Sequence, residues 1–330
     1  SHLHYEGNYL NIQFLLEAYK LTHDEVALQH AVFSIDALLC GGIYDCLGSG
    51  LCRYTVDKAW LIPHFEKMLY DNALLISVLC DAYTVTKNEV YKTVIDDLIK
   101  FANRELKGDH DLYYCAIDAD SEGEEGAFYC WTYDVLKELL NKEEMAFAEK
   151  HLDVSENGNW EGKNIIHVDE LMLLSKEHEV FSLIRYKLFE SRSKRIRPLT
   201  DDKALLSWNA LFNWSLVKAG KVLQNNLYLD VAEANMNAII DLFNIAGTPG
   251  HVYKNGQLKH QINLDDYVFL SRALLELNNA TGKQKWMDWA KELLQRIDLL
   301  FYNQDQKSYY YSAAQNTDVL APKYLSSNES

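Results

Sequence analysis

The chain has 330 residues, of which 48 are acidic and 32 are basic, so its formal net charge is −16 with histidine neutral. This charge and the lack of a long Lys/Arg run exclude a typical nucleic-acid partner, because phosphate neutralisation needs a basic face. The content of 48% apolar and 24% charged residues is typical of a globular protein, and no stretch reaches the ~20 consecutive apolar residues of a membrane span.

The cysteines indicate a reducing compartment. They are Cys40, Cys46, Cys52, Cys80, Cys115 and Cys130. They form no Cys-x-x-Cys pair and no zinc spacing, so we expect buried thiols, no disulfide and no bound metal. A chain with this composition and no apolar stretch long enough to span a membrane is predicted to be soluble and cytoplasmic.

Four segments share one pattern, an apolar-periodic helix followed by a short polar turn and a second helix. They occupy residues 14–26, 78–90, 216–232 and 274–290, and residues 133–151 supply part of a further pair. Helical hairpins repeated in this way bury their apolar faces only against neighbouring repeats. We therefore predict an all-α fold, a closed (α/α) toroid forming a single domain over residues 1–330. An open solenoid is the alternative, and it would favour a binding scaffold over an enzyme.

The long connections between hairpins carry nearly every unusual residue, which predicts that one mouth of the toroid holds the chemistry. The repeats align on Ala18, Ala82, Ala219 and Leu277. This alignment places polar or aromatic residues at the starts of the inner helices: Gly7, Asp71, Trp208 and Asp266, each followed by Asn8, Asn72, Asn209 or Tyr267. An apolar stripe would be expected there if the centre were merely packed.

The first long connection leads into a dense polar segment over residues 60–72. His64, Glu66, Lys67, Tyr70 and Asp71 give a base, an acid, a cation and an aromatic group within two helical turns. A capping and ion-pair cluster at the start of a helix is the alternative. Five positions along a helix rotate a side chain by about 500°. Glu66 and Asp71 therefore converge only if the helix starts near Tyr70 and the preceding residues form a loop.

The second long connection, residues 113–132, predicts a β-hairpin projecting from the helical body. Aromatic and small residues alternate on both sides of an acidic turn that contains Asp118 and Asp120. The turn imitates the start of a calcium loop, but the last ligand position holds Tyr129, which argues against calcium. The crowded carboxylates could hold one raised pKa, as a general acid requires.

The third and fourth connections contribute candidate ligand contacts. Trp208 and Asn209 offer an indole face and an amide, a combination that suits a sugar ring. Asp202 and Lys203 lie just before them and form either a binding pair or a plain charge pair at the start of a helix. The fourth connection also places an acidic residue next to an aromatic one, at Asp266 and Tyr267.

At these loops the sequence resembles the YyaL family, also described as spermatogenesis-associated protein 20-like or thioredoxin-domain-containing proteins. The matching stretches are residues 41–45, 53–57, 63–72, 118–123, 197–198, 201–203, 207–209 and 266–267. The resemblance implies a six-hairpin (α/α)6 toroid, the fold shared with N-acylglucosamine 2-epimerases and several glycoside hydrolases. It also implies a thioredoxin-like domain as a partner in the full-length family. That domain is absent from this sequence, so we expect neither redox activity nor a cofactor.

Two functional hypotheses follow. The first is a carbohydrate-active enzyme, a glycoside hydrolase or an epimerase acting on a small saccharide at the mouth. Its candidate catalytic residues are His64, Glu66, Asp71, Asp118 and Asp120. Its candidate substrate-binding residues are Arg53, Tyr70, Asp202, Lys203, Trp208, Asn209, Asp266 and Tyr267. The second hypothesis is a non-catalytic ligand-binding or partner-docking module associated with a thioredoxin-like domain. Two carboxyls facing across an open mouth would favour the enzyme, whereas ion-paired carboxylates would favour the module.

Overall fold

The computed structural model describes residues 5–6 and 9–313, which fall into two compact units. The first unit draws on Ser1–Leu106 and Ala116–Asp201, and the second on Lys107–Cys115 and Asp202–Ser330. Gly7 and Asn8, which the repeat alignment assigns to the first inner helix, lie outside the described residues. The single domain over residues 1–330 stays a prediction.

The first unit is built from helical pairs. Its helices are α1 (Tyr9–Thr22), α2 (Glu25–Cys40), α3 (Leu69–Thr86), α4 (Glu89–Phe101), α5 (Tyr133–Leu139), α6 (Lys142–His151) and α7 (Glu179–Arg192). A π-helical turn at Ala102–Leu106 follows α4. Helices α1 and α2 form one hairpin and α3 and α4 form another, as the repeats predict. The short helices α5 and α6 occupy the segment assigned to the further pair.

The second unit contains the other two repeats. Its helices are α8 (Leu206–Val222), α9 (Asn226–Leu242), α10 (Leu264–Thr281) and α11 (Gln284–Phe301). Helix α8 packs against α9, and α10 packs against both α8 and α11. Buried residues surround α8 along most of its length, whereas α11 buries one stripe. A helix buried on all sides belongs to the core, so α8 is an inner helix and α11 an outer one.

The turns inside the four hairpins have one geometry. In each turn one residue has a left-handed backbone conformation. Its φ is 57° at His23, 56° at Lys87, 52° at Gln224 and 67° at Gly282. A threonine ends the first helix in three hairpins, and its hydroxyl donates to a carbonyl one turn earlier. These pairs are Thr22 to Ala18, Thr86 to Ala82 and Thr281 to Leu277. The shared bonds confirm the register in which the repeats align.

Short strands lie in the long connections of the first unit. They are β1 (Tyr5–Glu6), β2 (Tyr54–Thr55), β3 (Pro63–His64), β4 (Lys67–Met68), β5 (Ala116–Ile117), β6 (Asp120–Ser121), β7 (Glu124–Glu125) and β8 (Thr200–Asp201). Strands β1, β2 and β3 form one antiparallel sheet, and β4, β5 and β8 form another. Helix α3 begins at Leu69, directly after β4, which agrees with the helix start predicted near Tyr70.

The predicted hairpin over residues 113–132 is shorter than expected. Strands β6 and β7 pair across a turn in which Glu122 and Gly123 both have positive φ, the geometry of a tight two-residue hairpin loop. Strand β5 does not extend this hairpin, because it pairs with β4 on one side and β8 on the other. Strand β5 thus belongs to a separate three-stranded sheet, in which both of its residues are buried.

The second unit has its own strands, β9 (Ala204–Leu205), β10 (Gly250–Lys254), β11 (Gln257–Gln261), β12 (Tyr302–Asn303) and β13 (Ser308–Tyr309). Strands β9, β10 and β11 form an antiparallel sheet, and β12 pairs with β13. Within the described residues, no helix has both the length and the apolar character needed to cross a lipid bilayer.

Candidate functional site

His64 lies between two carboxylates in the first unit. Its Nδ1 is 2.6 Å from Glu125 Oε1, and its Nε2 is 3.8 Å from Glu66 Oε2. The pairing of β2 with β3 sets Tyr54 opposite His64, and their rings stack with centroids 4.9 Å apart. The imidazole side chain keeps 29% exposure. The ring is therefore fixed in orientation and open to solvent, as an acid/base group needs to be.

Arg53 and Tyr70 join this cluster through Glu66. Arg53 Nη1 is 3.2 Å from Glu66 Oε2, and the Arg53 backbone N–H donates to the Glu66 carbonyl. Burial by itself would lower the pKa of Arg53, but hydrogen bonds and charge interactions with Tyr70 and Glu66 raise it. The structure thus brings together four of the predicted residues, Arg53, His64, Glu66 and Tyr70.

The acidic turn brings Glu125 to His64, and not Asp118 or Asp120, the two candidates identified in the sequence. Asp118 and Asp120 are exposed, and Asp118 Oδ1 accepts the Asp120 N–H at 3.2 Å. The register of the hairpin sets Asp120 opposite Glu125, and it is Glu125 that reaches His64. Glu125 is absent from the candidates identified in the sequence. The two-residue turn at Glu122 and Gly123 would have indicated its register.

Asp71 is buried in the first turn of α3. Its exposure of 3% contrasts with the 25% that the Glu66 side chain retains. The predicted helix start near Tyr70 holds, but Asp71 forms part of the packed interior of the helix start. The catalytic role of Asp71 stays a prediction.

In the second unit, Asp202 and Lys203 are held in local contacts. Asp202 forms an ion pair with Lys254, at the edge of a cavity of about 300 Å³ that Tyr114 and Tyr253 also line. The Lys203 carbonyl accepts the Cys115 N–H at 2.9 Å. The alternative reading of Asp202 as one member of a charge pair agrees with this geometry, although its partner is Lys254 instead of Lys203.

Trp208 is half-buried in the first turn of α8, whereas the neighbouring Asn209 has no exposed surface. The Asn209 amide nitrogen donates to the carbonyls of Tyr113 and Leu205, and its oxygen accepts the Tyr113 N–H at 2.8 Å. These bonds use the whole amide. Asn209 therefore has a structural role in holding the Tyr113 backbone, and its contact with a sugar stays a prediction.

Asp266 and Tyr267 are also buried. Asp266 accepts hydrogen bonds from the backbone N–H groups of Ser207 and Asn263, and its carboxylate lies 2.8 Å from His251 Nδ1. Burial alone would lower the pKa of His251, but the hydrogen bond to Asp266 raises it above its ordinary value. Asp266 thus caps two helix starts, and its contact with a ligand stays a prediction. The Tyr267 ring packs edge-on against Phe301.

A second missed feature is the buried ionic centre around Asp45. Its Oδ2 is 2.7 Å from Lys67 Nζ. Its carboxylate also accepts two hydrogen bonds from Arg192, from Nη1 to Oδ1 at 3.0 Å and from Nη2 to Oδ2 at 2.8 Å. Burial would raise the pKa of Asp45, but Arg192 and Lys67 hold it well below its usual range. Asp45 and Lys67 both lie in stretches that carry the family resemblance. Arg192 lies outside those stretches, and no pattern in the neighbouring sequence identifies it as a partner of Asp45.

The cysteines are thiols, five of them buried and Cys40 partly so. Burial raises the pKa of both Cys46 and Cys52 to about 12, so these thiols are protonated at neutral pH. Over the residues that the structure describes, no group of three or more His, Cys, Asp or Glu side chains is arranged to hold a metal ion.

Comparison with known proteins supports the resemblance found in the sequence. No protein-family model matches the chain. Spermatogenesis-associated protein 20 of Homo sapiens is 29% identical over 343 residues, which cover 90% of this chain and 44% of that protein. The chain thus spans less than half the length of this curated relative. The similarity confirms the resemblance to spermatogenesis-associated protein 20-like proteins that the sequence motifs predict.

Two solved structures share the fold. A D-mannose isomerase superposes with a TM-score of 0.60 at 12% identity, covering 94% of this chain and 67% of the isomerase. An unsaturated glucuronyl hydrolase from Bacillus sp. GL1 also gives 0.60 at 12% identity, with 97% and 70% covered. At such low identity the likeness concerns the fold alone. It confirms the predicted all-α (α/α)6 toroid with small β-hairpins, a fold that sugar isomerases and glycoside hydrolases use.

Proposed function

We propose that this chain, which is similar to spermatogenesis-associated protein 20 over 90% of its length and has a toroid fold found in sugar isomerases, is a carbohydrate-active enzyme. Its reaction would be a proton transfer on a small saccharide, of the epimerase or isomerase kind. The observation that carries the proposal is the placement of His64 between Glu66 and Glu125 on an exposed edge of the first unit. Hydrolysis is supported less, because the nearby Glu66 carboxylate is engaged by Arg53.

The proposed mechanism gives each group one task. Glu125 holds Nδ1 of the imidazole, which leaves Nε2 as the nitrogen that exchanges a proton with the substrate. The C–H bond next to the carbonyl of an open-chain sugar breaks, the proton moves to Nε2, and the electron pair moves onto the carbonyl oxygen. The Arg53 guanidinium is the nearby cation suited to stabilise that oxygen. Return of a proton to the opposite face of the same carbon gives an epimer. Return of a proton to the former carbonyl carbon gives an isomer, with transfer of the neighbouring hydroxyl proton to the former carbonyl oxygen.

Deuterium exchange tests this function directly. We would incubate the protein with a panel of aldoses, ketoses and disaccharides in D₂O and follow the proton next to the carbonyl by NMR. At least one sugar should lose that signal, and His64→Gln should abolish the loss. His30→Gln is the matched control, because His30 is exposed in the same unit and its side chain takes no part in the cluster. Exchange that persists in His64→Gln would rule out His64 as the base.

The second candidate function is a non-catalytic ligand-binding or partner-docking module that works with a thioredoxin-like domain. The observation that favours it is the pairing of carboxylates with cations at Asp45, Glu66 and Asp202. Titration of the chain with a separately produced thioredoxin-like domain of a relative would detect docking. Saturable docking or sugar binding, with no exchange on any sugar of the panel, would favour the module over the enzyme.

A further inference from the structure

A small pocket in the first unit concentrates positive charge. Its open volume is about 40 Å³, room for roughly three water-sized groups. Its charged lining residues are Lys67, Arg104, Arg192, Arg197, Asp45 and Glu105. Four cations against two carboxylates leave an excess of two positive charges, in a chain whose overall formal charge is −16. The local charge thus opposes the charge of the whole protein.

Two of the cations are fully desolvated and share one carboxylate. The side chains of Lys67 and Arg192 are 1% and 4% exposed, and both bind Asp45. One negative charge cannot balance both, and a buried charge without a counter-charge is costly. Burial and the like charge of Arg192 lower the pKa of Arg195 to about 10.

The remaining two cations share the second carboxylate. Glu105 forms ion pairs with Arg104 at 2.6 Å and with Arg197. Burial would raise the pKa of Glu105, but these two arginines hold it below its ordinary value, so the carboxylate is charged at neutral pH. Arg104 also donates to the Gly48 carbonyl at 2.6 Å. The excess of positive charge therefore persists on this side of the pocket.

Hydrogen-bond donors in the lining residues remain available. Arg192 Nε is buried and makes no hydrogen bond to any of the described residues. The Tyr129 ring lies 4.6 Å from Lys67 Nζ, and Tyr129 also lines the pocket. Burial raises the pKa of Tyr129 well above its ordinary value, which keeps the phenol protonated and able to donate. Guanidinium, ammonium and phenol donors form the set that recognises oxyanions.

We propose that this pocket is a binding site for a small oxyanion, the phosphate or carboxylate group of an acidic sugar or free phosphate. A phosphate group carries up to about two negative charges and would balance the excess of two, whereas a carboxylate carries one and would balance half of it. The site does not depend on proton transfer at His64. An inactive His64→Gln protein should bind the anion as well as the parent, so the two proposals fail separately.

Isothermal titration at low ionic strength tests the site with inorganic phosphate, glucose 6-phosphate, glucuronate and neutral glucose. The anions should bind and glucose should not. Phosphate and glucuronate distinguish a phosphate from a carboxylate ligand by their relative affinities. Arg197→Gln should weaken anion binding by about tenfold, since it removes one charge-assisted contact. Its side chain is 50% exposed, so the variant is expected to fold.

Lys176→Gln is the matched control, because Lys176 is an ion-paired cation of the same unit that lies outside the pocket lining. It should bind the anions like the parent protein. Absence of binding for all three anions would overturn the proposal. Equal affinities in Arg197→Gln and the parent, with both shown to be folded by circular dichroism, would overturn it as well.

Discussion

The side chain of Asn72 makes the same hydrogen bonds in the first unit that Asn209 makes in the second. Each amide nitrogen donates to the carbonyl four residues earlier, Met68 for Asn72 and Leu205 for Asn209. Each amide also forms a reciprocal pair with backbone on a long connection, at Leu51 for Asn72 and at Tyr113 for Asn209. The two positions are equivalent in the repeat alignment. A polar residue at the start of an inner helix therefore ties a long connection to the helical body.

Asn72→Ala and Asn209→Ala should each lower the free energy of unfolding by about 1–3 kcal/mol, because a buried N–H and a buried C=O lose their partners. Urea denaturation of each variant measures this. Asn226→Ala is the control, since Asn226 is exposed, and it should change stability by less than about 0.5 kcal/mol. An unchanged midpoint in Asn209→Ala would mean that its bonds to Tyr113 are dispensable.

Asp45→Asn should lower the free energy of unfolding by about 3–5 kcal/mol, because it leaves the buried Lys67 and Arg192 without their shared carboxylate. Chemical denaturation measures the change. Asp134→Asn removes a carboxylate whose side chain is 88% exposed, and it should cost about 0–1 kcal/mol. Equal costs in the two variants would contradict the buried ionic centre.

Lys87→Gly should raise the free energy of unfolding by up to about 1 kcal/mol, because glycine adopts the left-handed turn conformation without the steric cost of a side chain. Gly282→Ala makes the reverse change at the equivalent turn and should destabilise by a similar amount. An added Cβ at Gly282 meets no atom within 4 Å, so backbone conformation alone accounts for the effect. Thermal unfolding of both variants checks the signs, and shifts in the same direction would refute the common turn geometry.

His251 should make stability depend on pH. Its pKa is raised in the folded state, so its contribution is complete below the unfolded value of about 6.5 and is lost as pH rises through the higher folded value. The difference in unfolding free energy between the parent and His251→Asn should therefore shrink as pH rises above about 6.5. Denaturation at a series of pH values measures the difference. A difference that grows with pH would contradict the sign.

The helical hairpins could be predicted because their signals are local. Apolar periodicity defines each helix, and a threonine, a left-handed residue and an N-cap follow within three positions. The site depends on contacts that no local pattern contains. Glu125 reaches His64 across 61 positions, and the Asn209 amide meets backbone 96 positions away. A polar residue at the start of a helix therefore looks like a ligand contact until the path of the distant chain is known.

The Asp45 to Arg192 pair spans 147 positions, which gives it a consequence for kinetics. Closing so long a loop costs more entropy than closing a hairpin, so we expect this contact to form after the helical pairs have assembled. A contact made late on the folding route slows unfolding without speeding folding. The pair should thus set the lifetime of the folded first unit, and with it the resistance of that unit to proteases at concentrations where cleavage outpaces reclosing.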